Sequence, residues 1–143
     1  MKKRKGFTLI EMMVVILIIA ILAAVALPII RGGIDDAKWT EGLSGADSIR
    51  SSIRAYIAEH GNKHDYDELL GCLCGGPIAQ VLGFAEEDLN GRYFNQDSYF
   101  ITDIDVTLEG AGCVIEGTAK DVSGAPPGVG TLAKDGSWSV STD

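Results

Sequence analysis

One long apolar run near the start of the chain constrains the fold more than any other feature. Between Phe7 and Ile30 the only polar side chains are those of Thr8 and Glu11, and Pro28 lies near the far end. A helix of these 24 residues would be about 36 Å long, which is enough to cross a hydrocarbon layer of about 30 Å. The run therefore predicts that the chain meets a membrane.

Charge predicts the orientation of this segment. Four consecutive cations, residues 2–5, precede the run and would stay on the cytoplasmic side, so the chain after Ile30 would lie outside. Removing these four from the 12 basic residues leaves 8 against 20 acidic residues, a net charge of −12 for residues 7–143. Such an acidic surface argues against a soluble nucleic-acid binder, although a local basic patch stays possible after assembly.

Two cleavage sites compete in this segment. The small residues Ala24-Val25-Ala26 would suit a signal peptidase, which would release a soluble protein that begins at Leu27. A carboxylate inside the apolar run of an export signal, however, costs insertion free energy. The second site lies between Gly6 and Phe7.

The motif around the second site resembles a known family. Lys5-Gly6-Phe7-Thr8-Leu9-Ile10-Glu11, followed by the apolar run to Pro28, is similar to the leader and N-terminal helix of type IV prepilins and pseudopilins. The resemblance implies that a prepilin peptidase cleaves after Gly6 and methylates the new amine of Phe7. It also implies an inner-membrane assembly platform and a cytoplasmic ATPase motor as partners. The chain itself has no phosphate-binding loop with which to use ATP.

Glu11 needs a physical explanation. A lone ionised carboxylate in apolar surroundings costs several kcal/mol, so it takes a proton, reaches the headgroups or finds a cation. Cleavage would create a cation at Phe7, four residues away on the same helix face. Spacing alone leaves open a pair within the chain and a pair with the Phe7 amine of a neighbouring helix. The resemblance favours the neighbour, and such a pair would set the stagger between subunits.

The helix is expected to continue beyond the apolar run. Pro28 has no amide hydrogen for the carbonyl of Ala24, which predicts a kink over residues 24–28, with Gly32-Gly33 as a second soft point. The alternative is a helix that stops there and restarts after Asp35 or Asp36, which would cap it.

An amphipathic helix is predicted over residues 31–61. Gly61-Asn62 would end it, and Gly42 and Gly45 would each cost about 1 kcal/mol. Apolar residues recur at steps of three and four and would pack on a C-terminal sheet: Trp39, Leu43, Ala46, Ile49, Ile53, Tyr56 and Ile57.

The sequence after residue 61 predicts a variable loop region over residues 62–97 and an antiparallel sheet of three or four strands over residues 98–143. Phe100, Ile104, Val106 and Leu108 would share one strand face. A two-residue turn at Asp135-Gly136 would pair Ala133 with Trp138. A helix followed by a sheet makes the fold class α+β.

Three cysteines lie in the part predicted to be outside the cytoplasm, where disulfides persist. Cys72 and Cys74 are close in sequence for a mutual bridge, so Cys113 is expected to join one of them. The third would stay free or pair between chains. No Cys/His set has zinc-finger spacing and no acidic cluster has calcium-loop spacing, so neither a metal nor a cofactor is predicted.

Spacing assembles no nucleophile, base and orienter, so an enzyme is not predicted. The best motif is an assembly motif, which predicts a structural subunit of a type IV pilus or pilus-like filament of many pilin copies. It would have a leader over residues 1–6, a membrane and filament-core helix over 7–30, and a globular domain over 31–143.

Such a subunit would span the inner membrane once before it joins an extracellular pilus or a periplasmic pseudopilus. Two alternatives stay open. One is a type II secretion pseudopilin, although Asp121 to Asp135 lacks a clear calcium-ligand pattern. The other is a minor pilin or membrane-anchored domain that binds DNA or surfaces.

Overall fold

The computed structural model describes residues 6–61, 66–85, 87–107 and 110–142. It divides the chain into two compact units, with the boundary in sequence between Ile34 and Asp35. Of the predicted leader, only Gly6 belongs to the described residues.

A single helix, α1 (Leu9–His60), carries both the apolar run and the amphipathic stripe. It continues without a break through Pro28, so the alternative of a helix that stops and restarts is wrong, whereas a kink at Pro28 stays a prediction. Because the helix is continuous, Asp35 does not cap a new one. Its carboxylate instead lies 2.6 Å from the Lys38 ammonium.

The C-terminal end of α1 lies where the sequence predicts it. Gly61 follows His60 with φ of +74°, a conformation that costs glycine little. Its N–H donates to the carbonyl of Ile57 at 2.8 Å, which satisfies one of the free carbonyls of the last turn. The predicted stop is confirmed.

The predicted stripe faces the core. Its members Trp39, Ala46, Ile49, Ile53 and Ile57 are buried, and Leu43 and Tyr56 are partly buried; Gly42, which was not part of the predicted stripe, is buried on the same helix. Opposite it lies an antiparallel sheet. Within the described residues it has five strands: β1 (Gly71–Cys72), β2 (Tyr99–Thr107), β3 (Gly110–Thr118), β4 (Val129–Leu132) and β5 (Trp138–Ser141). They lie side by side in the order β1-β2-β3-β4-β5.

The α+β class is therefore confirmed, with one strand more than the upper expectation of four. The extra strand is β1, which lies inside the region predicted as variable loop. That region also contains a 3₁₀ turn at Asp67–Leu69 and a short helix, α2 (Pro77–Val81), and a second 3₁₀ turn, Gln96–Ser98, crosses its C-terminal boundary.

A bulge in β2 overturns the predicted strand face. The pairing with β3 shifts between Ile101 and Asp103, so Thr102 is an extra residue in the ladder. Before the bulge Ile101 is buried and Phe100 is exposed, whereas after it Ile104 faces the core. Phe100 therefore does not share a face with Ile104, and Leu108 lies outside the described residues.

The β4–β5 hairpin also differs from the prediction. Trp138 pairs with Leu132 instead of Ala133, and Ser139 pairs with Thr131. The N–H of Gly136, at φ of +90°, donates to the carbonyl of Ala133, and the N–H of Ala133 donates to the carbonyl of Ser137. The connection is thus a loop of three residues, 134–136, that ends in a left-handed glycine and is longer than a two-residue turn.

The expected cysteine pairing is wrong. Cys72 forms a disulfide with Cys74, their Cα atoms being 5.2 Å apart, and Cys113 is a buried free thiol. Cys72 on β1 pairs with Phe100 on β2, and Phe100 in turn pairs with Glu116 on β3. Cys113 is three residues further along β3 and two strand spacings away, or about 14 Å. A disulfide needs Cα atoms within about 7 Å, so Cys113 is out of reach.

Candidate functional site

The start of α1 is closed by a reciprocal pair of side chains. Thr8 directly precedes the first helical residue, and its backbone N–H and its hydroxyl both donate to Oε2 of Glu11 at 2.7 Å. The N–H of Glu11 lies 3.4 Å from the Thr8 hydroxyl oxygen. This arrangement is a capping box, in which two residues three positions apart satisfy helix donors that have no partner within the helix.

The capping box changes the interpretation of Glu11. In the uncleaved chain its carboxylate already accepts two hydrogen bonds, so it is not a lone charge. The role of Thr8 was not predicted, although Thr-x-x-Glu before an apolar run is the sequence signature of a capping box. Both donors use Oε2, which leaves the second carboxylate oxygen to accept from another group.

The first unit has an apolar surface along its described length. Every residue from Gly6 to Ile34 is exposed, including large side chains such as Leu17 at 59% and Leu22 at 64%. By length and composition α1 is a helix that could cross a membrane. So much exposed apolar surface needs lipid or other helices around it.

In the second unit, polar bonds fix the helix to the sheet and loops. The carboxylate of Glu41 accepts the N–H groups of Tyr93 at 2.8 Å and Phe94 at 3.0 Å. Further along α1, Arg50 donates to the carbonyl of Lys134 and Arg54 donates to that of Ala111, each at 3.0 Å. These bonds tie the helix to backbone atoms of the sheet and of the loops around it.

Aromatic side chains pack directly against two glycines of α1. A Cβ on Gly42 would lie 2.8 Å from the Phe94 ring, and one on Gly45 would overlap the Tyr99 side chain. The hydroxyl of Tyr99 donates to the carbonyl of Gly42 at 3.2 Å, and burial raises the pKa of this phenol well above its usual range. The glycines that looked unfavourable from helix propensity therefore allow the close approach of helix and sheet.

Cations gather around one aromatic ring of this acidic domain. The Lys38 ammonium lies 5.7 Å and the Arg92 guanidinium carbon 5.4 Å from the centre of the Tyr93 ring. Lys120 joins them, since its N–H donates to the carbonyl of Tyr93 and its ammonium donates to that of Gly91, both at 2.8 Å. We call Lys38, Arg92, Tyr93 and Lys120 the Tyr93 cluster.

The two kinds of cysteine differ in environment. Cys74 is exposed and Cys72 is half-buried, whereas burial raises the pKa of the Cys113 thiol against the opposing effect of Arg50 and Arg54. Among the described residues, no group of three or more His, Cys, Asp and Glu side chains is placed to hold a metal ion.

Comparison with known proteins agrees with the N-terminal geometry. Residues 1–27 match the family described as the prokaryotic N-terminal methylation motif. The chain is 36% identical over 127 residues to the type IV major fimbrial protein FimA of Dichelobacter nodosus, covering 82% of this chain and 71% of that protein. The chain belongs to the type IV pilin family.

Two further relatives extend this similarity. The fimbrial protein EcpC of Eikenella corrodens is 30% identical over 142 residues, covering 95% of this pilin and 80% of that protein. A fimbrial protein of Moraxella nonliquefaciens is 51% identical over 53 residues, covering 37% of this pilin and 34% of that protein. No solved structure matches the chain significantly.

The family match includes three residues that the sequence predicts for cleavage, methylation or assembly of this pilin. Gly6, Phe7 and Glu11 lie inside residues 1–27, and Pro28 follows directly. The structure brings Glu11 together with Thr8. Glu41, Arg50 and Arg54, which dock α1 on the domain, were missed because spacing along a helix does not reveal a distant backbone partner.

Proposed function

We propose that this pilin is a structural subunit of a type IV pilus, and that a prepilin peptidase cleaves it after Gly6 and methylates Phe7. Two observations together carry the proposal. The chain matches the methylation motif, and it is similar to fimbrial proteins over most of their length. The assembly platform and the ATPase motor are part of the same proposal. Moving α1 from lipid into a filament of apolar helices gains little free energy from the hydrophobic effect. The motor and the platform would supply the work of extracting the helix from the membrane.

Before assembly, residues 7–30 would hold the pilin in the inner membrane by a single pass. The exposed apolar surface of α1 supports this, because the described residues of the first unit, 6–34, do not cover it. The cations of residues 2–5 support an orientation with the leader in the cytoplasm and the domain outside.

Glu11 would pair with the Phe7 amine of a neighbouring subunit after cleavage. The capping box supports this role, since it orients the carboxylate at the helix start and leaves one oxygen available. A charge pair in an apolar filament core would be costly to leave unmade, so it would define the axial register of the subunits.

The N-terminal mass of the protein made in its own cells tests the processing. A chain that begins at methylated Phe7 is the expected result. A chain that begins at Leu27 would mean that a signal peptidase released the domain, and the filament proposal would fail.

Substitutions at Glu11 separate charge from capping. Glu11→Gln removes the charge but keeps an amide oxygen that can cap the helix, because Gln also serves at this position of a capping box. Glu11→Ala removes both. We expect both variants to be cleaved normally and to enter filaments of wild-type subunits poorly, as measured by immunoblots of sheared filaments.

Thr8→Val is the matched control, because it weakens the cap and keeps the carboxylate. We expect it to assemble far better than either Glu11 variant. Normal filaments from Glu11→Gln, together with a defect in Thr8→Val, would assign the role of Glu11 to capping and contradict the register proposal.

A second candidate function is capture of an anionic polymer such as DNA, and the Tyr93 cluster favours it. Cations beside an aromatic ring are the elements that bind a phosphate backbone and stack a base. The test is salt-dependent binding of single-stranded DNA by the full chain in detergent. Arg92→Ala should weaken binding severalfold and reduce the salt dependence, while Arg54→Ala, outside the cluster, should not.

A further inference from the structure

The disulfide between Cys72 and Cys74 encloses one residue, Leu73, within the sequence Gly71-Cys72-Leu73-Cys74-Gly75. Its two cysteines are not equivalent in exposure. Cys74 is exposed to solvent, whereas Cys72 is half-buried at the end of β1. An external thiolate therefore meets the sulfur of Cys74 first.

A hydrogen bond distinguishes the two sulfurs further. The backbone N–H of Cys74 points at Sγ of Cys72 at a distance of 3.2 Å. A donor at this position stabilises negative charge on Cys72, and a thiol that is a better leaving group departs faster in disulfide exchange. Access and leaving-group stabilisation thus favour the same direction of attack.

We propose that the Cys72–Cys74 disulfide is a thiol-exchange site that reacts with small thiols and dithiols at Cys74. The incoming thiolate forms a bond to Sγ of Cys74, the bond between the two protein sulfurs breaks, and Cys72 leaves as a thiolate that takes a proton from water. With a monothiol the product is a mixed disulfide at Cys74. With a dithiol, the second thiol attacks the mixed disulfide, the reagent is oxidised to its own disulfide and both cysteines are reduced.

The surrounding backbone allows the ring to open without loss of the fold. Leu73 is fully buried, its N–H donates to the carbonyl of Tyr99 at 3.2 Å, and its carbonyl accepts the N–H of Gly76 at 3.0 Å. Gly71 also pairs with Ile101 on β2. These contacts hold the residue before the disulfide and the residue inside it on β2, so opening and closing are local events.

The experiment maps the attacked sulfur. Full-length protein in detergent is mixed with glutathione near neutral pH, exchange is stopped with acid at short times, and peptic peptides are identified by mass spectrometry. We expect glutathione on Cys74 in severalfold excess over Cys72, with the tryptophan fluorescence of the protein unchanged. Glutathione mainly on Cys72, or equally on both, would overturn the proposal.

Cys113 supplies the control for unfolding, because it is buried in the core. We expect it to stay unmodified while Cys74 reacts, and we expect Cys113→Ser to leave the rate at Cys74 unchanged. Modification of Cys113 at the same rate as Cys74 would show that exchange follows global opening, and the proposed site would then be rejected.

Discussion

The two halves of α1 are both rich in apolar residues but differ in where those residues find partners. Leu17 in the first half is 59% exposed, whereas Ile53 in the second half is fully buried against the domain. The second half therefore stabilises the fold of a single chain by burying its apolar side chains. The apolar side chains of the first half can be buried only by lipid or by other subunits.

The largest expected effect comes from removing a buried side chain of the second half. Ile53→Ala should lower the free energy of unfolding by about 2–5 kcal/mol, because it loses apolar burial and leaves a cavity. Leu17→Ala is the matched control and should leave the stability of the domain unchanged. Urea unfolding in detergent, followed by Trp fluorescence, measures both, and equal losses would break the contrast between the halves.

The glycines of α1 offer a second comparison. Gly45→Ala should destabilise the domain by about 1–3 kcal/mol, since the new Cβ overlaps the Tyr99 side chain and the overpacking exceeds the gain in helix propensity. Gly33→Ala meets open space and should raise helix content. Circular dichroism melts of the two variants decide the point, and stabilisation by Gly45→Ala would show that the ring does not need the glycine.

The disulfide ranks third. Replacing Cys72 and Cys74 together by Ser should cost about 1–2 kcal/mol, because a cross-link that closes such a short loop restricts the unfolded chain only modestly. Chemical denaturation of the double variant and of reduced wild type should give similar midpoints. A loss as large as that of Ile53→Ala would mean that the cross-link, and not Leu73, holds this segment.

The smallest expected effect is a pH dependence in the β4–β5 turn. The hydroxyl and N–H of Ser137 donate to the carboxylate of Asp135 and lower its pKa below the ordinary 3.8. A lowered pKa stabilises the fold above the ordinary value, and this stabilisation is lost as pH falls through the folded-state pKa. Ser137→Ala should therefore flatten the decline in urea midpoint below pH 4, and an unchanged decline would contradict this.

The helical part of the fold could be predicted because its signals are local. Apolar residues from Trp39 to Ile57 recur with the helical period, and a glycine at position 61 ends the helix through its backbone freedom. Both are properties of a few neighbouring residues. The N-terminal motif was recognisable for the same reason.

The errors concern features that depend on distant partners. One extra residue at Thr102 reverses which side chains of β2 face the core, and nothing in the alternation of apolar residues indicates where a bulge lies. The pairing of Cys72 with Cys74 depends on a backbone turn, and the exclusion of Cys113 depends on strand register. The need for glycine at position 45 depends on the Tyr99 ring, which lies more than fifty positions later in the sequence.

The bonds between α1 and the domain have a mechanical consequence. Glu41, Gly42, Arg50 and Arg54 hold loop or strand atoms at successive levels along the helix axis. A pull along that axis would load these bonds together, in shear, instead of opening them one after another as a peeling force would. Tension applied to the helix would thus reach the sheet through several anchors at once.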